Sequence, residues 1–304
     1  MRVGLYLNTM GTDVDSVLAR MRAGAAAGFS SAFLTQLTSL DAITVAALGA
    51  RQALGLEVGT AVVQTYPRHP LALAVQAKTA QAISGNRFTL GIGPSHRQII
   101  EDSYGLSYDR PARHTREYLS ALMPLLRGEA IEYRGETLSA AGRVEVPGAT
   151  PPPVLLSALG PAMLRIAGEL ADGTVTTWTG AAAIAEHIAP RITEAARAAG
   201  RPAPRVVASA LVAVTNDPDR VRGEVAERLG FAAGFASYRS MLARQGMSGL
   251  HETVIAGDER AVEKELARFA DAGTTDFLLS PASDEQDQAR TLDFASAWYA
   301  GRRP

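Results

Sequence analysis

Few side chains in this 304-residue sequence could do chemistry unaided. The absence of cysteine removes disulfides, thiolate metal sites, iron–sulfur clusters and thiol nucleophiles together. The histidines, at 69, 96, 114, 187 and 251, show no HxH, HxxxH or HExxH spacing, so no metal site is expected. Only Lys78 and Lys264 are lysines, which leaves little for Schiff-base chemistry. Of what remains, His96 in GIGPSHRQ could move a proton, since an imidazole titrates near neutrality; the alternative is a loop histidine bonded to backbone. Ser157-Ala158-Leu159-Gly160-Pro161 combines small residues with a proline suited to a first helical position. It reads as a backbone cradle for a phosphate or sugar chain, or as an ordinary tight turn. Trp178 closes the run TVTTW and suits either a planar ligand or the core, whereas Trp298 reads as packing. Arg68-His69-Pro70 reads as a helix start, and Arg113 with Glu117, one turn apart, as a structural ion pair.

The elements that must position these residues alternate. Short apolar, β-branched runs lie at 3–7, 31–35, 56–63, 87–93, 153–158, 174–178, 205–214 and 276–280, separated by stretches with helical periodicity. In the first such stretch Val14, Val17, Leu18 and Met21 share a face, and Thr12 or Asp13 is its expected N-cap. Glycine closes helix-like stretches before a strand at Gly28, Gly55, Gly85, Gly173 and Gly273, as expected of a repeated βα unit. Eight such units predict a (β/α)8 TIM barrel; a doubly wound open sheet is the alternative. The whole chain, 1–304, reads as one domain. Insertions follow the fourth strand (about 129–150, a β-hairpin) and the seventh (about 231–256, rich in Ser, Gly, Met and aromatics).

Barrel chemistry sits at the C-terminal strand ends. Here those ends are neutral and polar, with one imidazole and one indole and no carboxylate pair for glycoside hydrolysis. A mouth this poor in reactive groups implies a bound organic cofactor. The glycines of GIG (91–93) leave room above a strand rather than form a dinucleotide fingerprint. A net charge of −1 gives no footprint for nucleic acid or an anionic membrane. No apolar stretch approaches about 18 residues, and the N-terminus MRVGLYLNTMGTD is not a signal peptide, so a cytoplasmic location is expected.

The segments AAGFSSAFLTQ (25–36), GTAVVQTYPRHPLALAVQA (59–77), GNRFTLGIGPSH (85–96), GLSYDRPARHTREYL (105–119), PPPVLLSALGPAMLRIAGELADGTVT (151–176) and AGTTDFLL (272–279) resemble the luciferase-like monooxygenase superfamily. The resemblance is to its branch using the deazaflavin coenzyme F420, including methylenetetrahydromethanopterin reductases. It implies a luciferase-like TIM barrel with the cofactor ring over the strand ends, backed by a non-prolyl cis peptide at Ala61-Val62. It also implies a ribityl-phosphate contact at Ser157, Ala158, Leu159 and Gly160, and further cofactor contacts at Asn8, Gln36, Gly93, Ser95, Thr177 and Trp178. His96 falls where related deazaflavin enzymes carry a glutamate proton donor, which makes it the candidate catalytic residue. The second strand ends Thr35-Gln36-Leu37, without the histidine of sugar-phosphate-oxidising relatives, and lysines to hold a phosphate are scarce; both speak against that substrate. The expected activity is hydride transfer between C5 of F420 and a small organic substrate, with both insertions walling the pocket. FMN-dependent oxygenation and non-catalytic flavin binding are the alternatives. Family members are commonly homodimers, which is the expectation here.

Overall fold

The computed structural model describes residues 1–302. Eight parallel strands close a barrel: β1 (Arg2–Leu7), β2 (Ser31–Leu34), β3 (Glu57–Thr60), β4 (Phe88–Gly93), β5 (Val154–Ser157), β6 (Gly173–Thr177), β7 (Arg205–Val214) and β8 (Asp276–Pro281). Closure comes from β8, which pairs with β7 (Val207 opposite Asp276) and with β1 (Gly4 opposite Leu278). A closed TIM barrel is therefore the fold, not an open sheet.

Period-two alternation sorts each strand. On β1, Val3, Leu5 and Leu7 pack outward on the helices, while Tyr6 belongs to an interior cluster with Phe33, Leu155, Val175, Val207 and Leu278. Gly59 makes room for that interior: a Cβ there would lie 2.9 Å from the Phe33 ring and 2.7 Å from the Thr89 carbonyl.

Below this layer, the N-terminal end of the barrel is plugged by charge. Arg205 bonds Glu57 (2.9 Å) and Asp276 (2.9 Å), and Arg2 pairs with Glu57 (2.8 Å) and also with Asp276. Thr89 and Thr275 donate to Glu57 and Asp276, each at 2.6 Å.

Helix ends follow the sequence with one correction. Asp13 caps Val14–Ala26 by accepting from the Ser16 N–H. Gly28, Gly55, Gly85 and Gly273 have positive φ, the left-handed conformation that glycine adopts without a Cβ clash. Gly173 does not: it lies within β6, because the preceding helix Pro161–Leu170 already ends at Ala171. Glycine is needed there for a different reason, since a Cβ would sit 2.2 Å from the Arg205 carbonyl of the neighbouring strand.

The run 56–63 is likewise not one strand. β3 stops at Thr60, and the chain resumes pairing only at Val63–Gln64, against Ile92 and Gly93.

The first insertion is the expected hairpin, Ile131–Arg134 antiparallel to Ser139–Gly142. It does not wall the mouth. It lies along the outer helices Pro70–Ile83 and Pro111–Arg127, held where buried Glu117 accepts from the backbone of Glu136 and Thr137 and from the Thr137 hydroxyl. The second insertion carries helix Ala236–Gln245 and a short strand, Ile255–Gly257, that extends the sheet beside β7, and it does reach the mouth.

Candidate active site at the barrel mouth

The floor of the mouth is built where β3 breaks. The Ala61–Val62 peptide is cis, as the resemblance implies. Thr60 stitches the break to β4: its hydroxyl donates to the Gly91 carbonyl (2.8 Å) and accepts from the Gly91 N–H (2.9 Å). Position 91 must be glycine, since a Cβ would lie 1.9 Å from the Thr60 carbonyl oxygen. The Val62 methyls occupy the space freed beside Gly91 and Gly93, 3.2 and 3.0 Å from where a Cβ would stand. Ser157 closes the other side, 3.1 Å from a Cβ on Gly93. The glycines of GIG thus leave a half-buried apolar ledge, Val62, over the strand ends.

Next to the ledge, β5 runs into Ser157–Gly160. Gly160 is the N-cap of Pro161–Leu170, with Pro161 at the first helical position and no side chain capping the helix. The free N–H groups of a first turn favour an anion. Gly160 is exposed, and nothing lies within 4 Å of a Cβ built on it. Ala158 and Leu159 are buried, and His187 donates from Nε2 to the Leu159 carbonyl (2.7 Å), fixing the turn from behind.

His96 follows β4 and is half-buried. Phe235 of the second insertion stacks on its ring (3.9 Å between centroids, 4° between planes) and Tyr238 meets it edge-on at 4.9 Å. Burial lowers its pKa to about 4, so the imidazole is neutral at pH 7. Tyr238 is pushed up to about 12 by burial; Tyr6 is raised further still, by burial and then by the neighbouring Tyr238 hydroxyl. The mouth therefore holds neutral donors and acceptors.

A second aromatic stack flanks it. Tyr66 lies on His114 (3.9 Å, 16°) and against Tyr108 (5.2 Å), and the Tyr108 hydroxyl donates to the Ser95 carbonyl (2.8 Å). Ser95 has φ +64°, a conformation rare outside glycine, and this bond helps hold it. Burial brings His114 to about 4 as well, overriding the nearby Glu117. The hydroxyl of Tyr66 and Oε1 of Gln64 are buried with no hydrogen-bond partner.

Of the sequence-predicted residues, Ala61, Val62, Gly93 and Ser157 come together in the floor. Ala158, Leu159 and Gly160 form the adjoining turn, and Ser95 and His96 follow the same strand as Gly93. Thr177 ends β6 half-buried. Trp178 has φ +55° and packs beside Ala232, Leu242 and Leu250 of the second insertion. Asn8, after β1, is exposed and accepts from the Met10 N–H (3.0 Å), and Gln36, after β2, accepts from the Ala42 N–H (2.7 Å) at the start of helix Ala42–Ala50. The sequence reading missed Tyr6, Tyr66, Phe235 and Tyr238. Tyr6 carried a signal as the inward-facing aromatic of a strand whose alternate positions are aliphatic, and Phe235 and Tyr238 belong to the aromatic-rich insertion expected to wall the pocket.

A closed eight-stranded parallel barrel flanked by helices is a TIM barrel, the fold in which ligands bind at the C-terminal strand ends. Residues 1–296 match the model of the luciferase-like monooxygenase family, and the chain belongs to that family. Among curated proteins it is 30% identical over 188 residues to the Mycobacterium tuberculosis protein "Putative coenzyme F420-dependent oxidoreductase Rv3520c". That match covers 57% of this chain and 54% of the relative, about half its length. It is 27% identical over 232 residues to 5,10-methylenetetrahydromethanopterin reductase of Methanolobus tindarius, covering 76% of this chain and 71% of that one. The fold superposes on the coenzyme F420-dependent tetrahydromethanopterin reductase of Methanopyrus kandleri with a TM-score of 0.84, at 21% identity and 99% coverage of both chains. It also superposes on the FMN complex of the oxygenating constituent of 3,6-diketocamphane monooxygenase of Pseudomonas putida, with a TM-score of 0.78 at 18% identity, covering 100% of this chain and 99% of that one. Among the described residues no group of three or more His, Asp or Glu could hold a metal, and no helix is long and apolar enough to cross a membrane.

Proposed function

We propose that this chain is a coenzyme F420-dependent oxidoreductase acting on a small organic substrate at the barrel mouth. The observation that carries the proposal is the Val62 ledge over Gly91 and Gly93, flanked by the uncapped turn Ser157–Gly160. An apolar platform beside free backbone N–H groups suits a planar ring joined to a phosphate. The Mycobacterium tuberculosis relative named for F420 supports the same reading. When bound, the deazaflavin would supply hydride chemistry at C5, its reduced form giving a hydride to an unsaturated carbon or its oxidised form accepting one from the substrate.

The chain's own residues do the rest. Val62, Gly93 and Ser157 support one face of the ring. The turn Ser157–Gly160, braced by His187, holds the phosphate. Phe235 and Tyr238 exclude water from His96. Because burial keeps His96 neutral at pH 7, its ring offers one nitrogen as hydrogen-bond donor and the other as acceptor to a substrate at the mouth. A proton-donor role requires that bound substrate first raise its pKa.

Titrating the cofactor-free protein with F420 and with FMN tests the assignment. The expected result is micromolar binding of F420 and much weaker binding of FMN; micromolar FMN binding with none of F420 overturns it.

A further inference from the structure

Beside the mouth a second cavity, of about 360 Å³, opens between the helical turns after β6, the second insertion and helix Glu259–Asp271. It shares its walls with the site. His187, which lines it, bonds the Leu159 carbonyl of the phosphate-side turn, and Gln245 bridges the Trp178 carbonyl (3.2 Å) and the Gly180 N–H (2.6 Å).

Three guanidinium groups line this cavity, from Arg191, Arg244 and Arg268, against two carboxylates, Glu186 and Glu265. Arg268 is paired with Glu265 at 2.7 Å. Arg191 reaches only the carbonyls of Glu186 (3.4 Å) and His187 (3.3 Å), and among the described residues Arg244 has no acidic partner. Two cations without an acidic partner thus line one small cavity.

His187 supplies an independent sign. It is 2% exposed, its Nε2 is committed to Leu159, and its Nδ1 is buried with no hydrogen-bond partner. Such an orphan costs free energy unless something satisfies it. Its pKa is lowered by burial first and then by Arg244 and Arg191, against the raising influence of the Leu159 bond, so both guanidinium groups act on this ring. With Nε2–H committed to Leu159, Nδ1 is a buried acceptor, which the O–H of a protonated phosphate or carboxyl group would satisfy.

We propose that this cavity is an anion-binding subsite for a carboxylate- or phosphate-bearing group, set directly behind the Ser157–Gly160 turn. Guanidinium forks pair with both anions through charge-assisted hydrogen bonds. The anion is either the acidic glutamyl chain of the coenzyme bound at the mouth, which rests on the function proposed above, or a separate small anion.

The test uses the full chain and three probes: F420 with its glutamyl chain, the deazaflavin carrying only its ribityl chain, and inorganic phosphate. The variants are Arg244→Ala and Arg191→Gln, both at exposed positions where folding is safe, with Arg244→Lys as the conservative control. Expected is a loss of F420 affinity of about ten-fold or more in the first two variants, partial recovery in the lysine variant, and unchanged binding of the chainless deazaflavin. If phosphate raises the Tm of the wild type but not of Arg244→Ala, while F420 binding is unaffected, the site stands and its ligand is a separate anion. If the wild type ignores F420 but shows that phosphate response, the coenzyme assignment fails and the subsite survives. If neither F420 affinity nor the phosphate response depends on the arginines, the subsite is overturned.

Discussion

The two ends of this barrel use polar residues in opposite ways. At the N-terminal end Arg2, Glu57, Arg205 and Asp276 close the interior with charges that are all paired, and Thr89 and Thr275 bond the carboxylates as well. Burial opposes ionisation of Asp276, yet Arg205 and Arg2 hold its pKa below the usual range; Arg205 is raised in turn by Glu57 and Asp276. At the C-terminal end the groups are neutral: His96 at about 4, with Tyr6 and Tyr238 pushed upward by burial. Orphaned Tyr66 and Gln64 atoms lie there too. The plug spends its polar groups on one another, which stabilises; the mouth leaves them available to a ligand, which does not. The contrast separates the residues that hold the barrel shut from those that can act.

Three variants would break or sharpen that contrast. The largest effect is expected from Arg205→Ala, which leaves Glu57 and Asp276 with Arg2 alone. Breaking a buried pair from one side costs about 3–5 kcal/mol, so Tm in calorimetry should fall by roughly 10 °C while cofactor affinity of the folded protein is retained. His96→Ala should do the reverse: turnover falls about 100-fold or more, as for loss of a general acid–base group, with a Tm change of only a few degrees. A turnover equal to wild type would remove His96 from the chemistry. Phe235→Ala should have the smallest effect. Uncovering His96 moves its pKa up from about 4 toward 6.5, read from its imidazole signals in an NMR pH titration. In the wild type the unfolded chain binds protons that folded His96 and His114 refuse, so stability present above pH 6.5 is lost as pH falls toward 4. In Phe235→Ala that acid loss of Tm should be shallower.

Much of this was legible in the sequence because it depends on local chemistry. Apolar runs with β-branched residues marked all eight barrel strands, and glycine marked four of five helix ends. Gly173 misled because strand packing, not helix termination, requires it: the clash is with Arg205, 32 residues away in sequence. The run 56–63 hid the break at Ala61–Val62, since Val and Ala read as strand whatever the peptide geometry; the family resemblance, not periodicity, located it. Gln36 was named as a cofactor contact through the family resemblance; that its Oε1 accepts from the Ala42 N–H is a choice that local sequence does not decide. The first insertion was read correctly as a hairpin but assigned to the wrong surface, because nothing in EAIEYRGETLSAAGRVEVPG states which face it packs on.

By itself the sequence determined the element order, the eight βα units and the neutral character of the strand ends, while the pairing of β8 with β1 and β7 decided that they close. Hydrophobic period, glycine placement and residue type are properties of each segment alone. Only the tertiary structure decided that Phe235, some 139 positions from His96, stacks on it and keeps it neutral. It also decided that Arg191, Arg244 and Arg268 surround one cavity behind the phosphate-side turn. A pKa and a ligand site are set by burial and by charges brought close through the fold, and distance in space is not a function of distance along the chain.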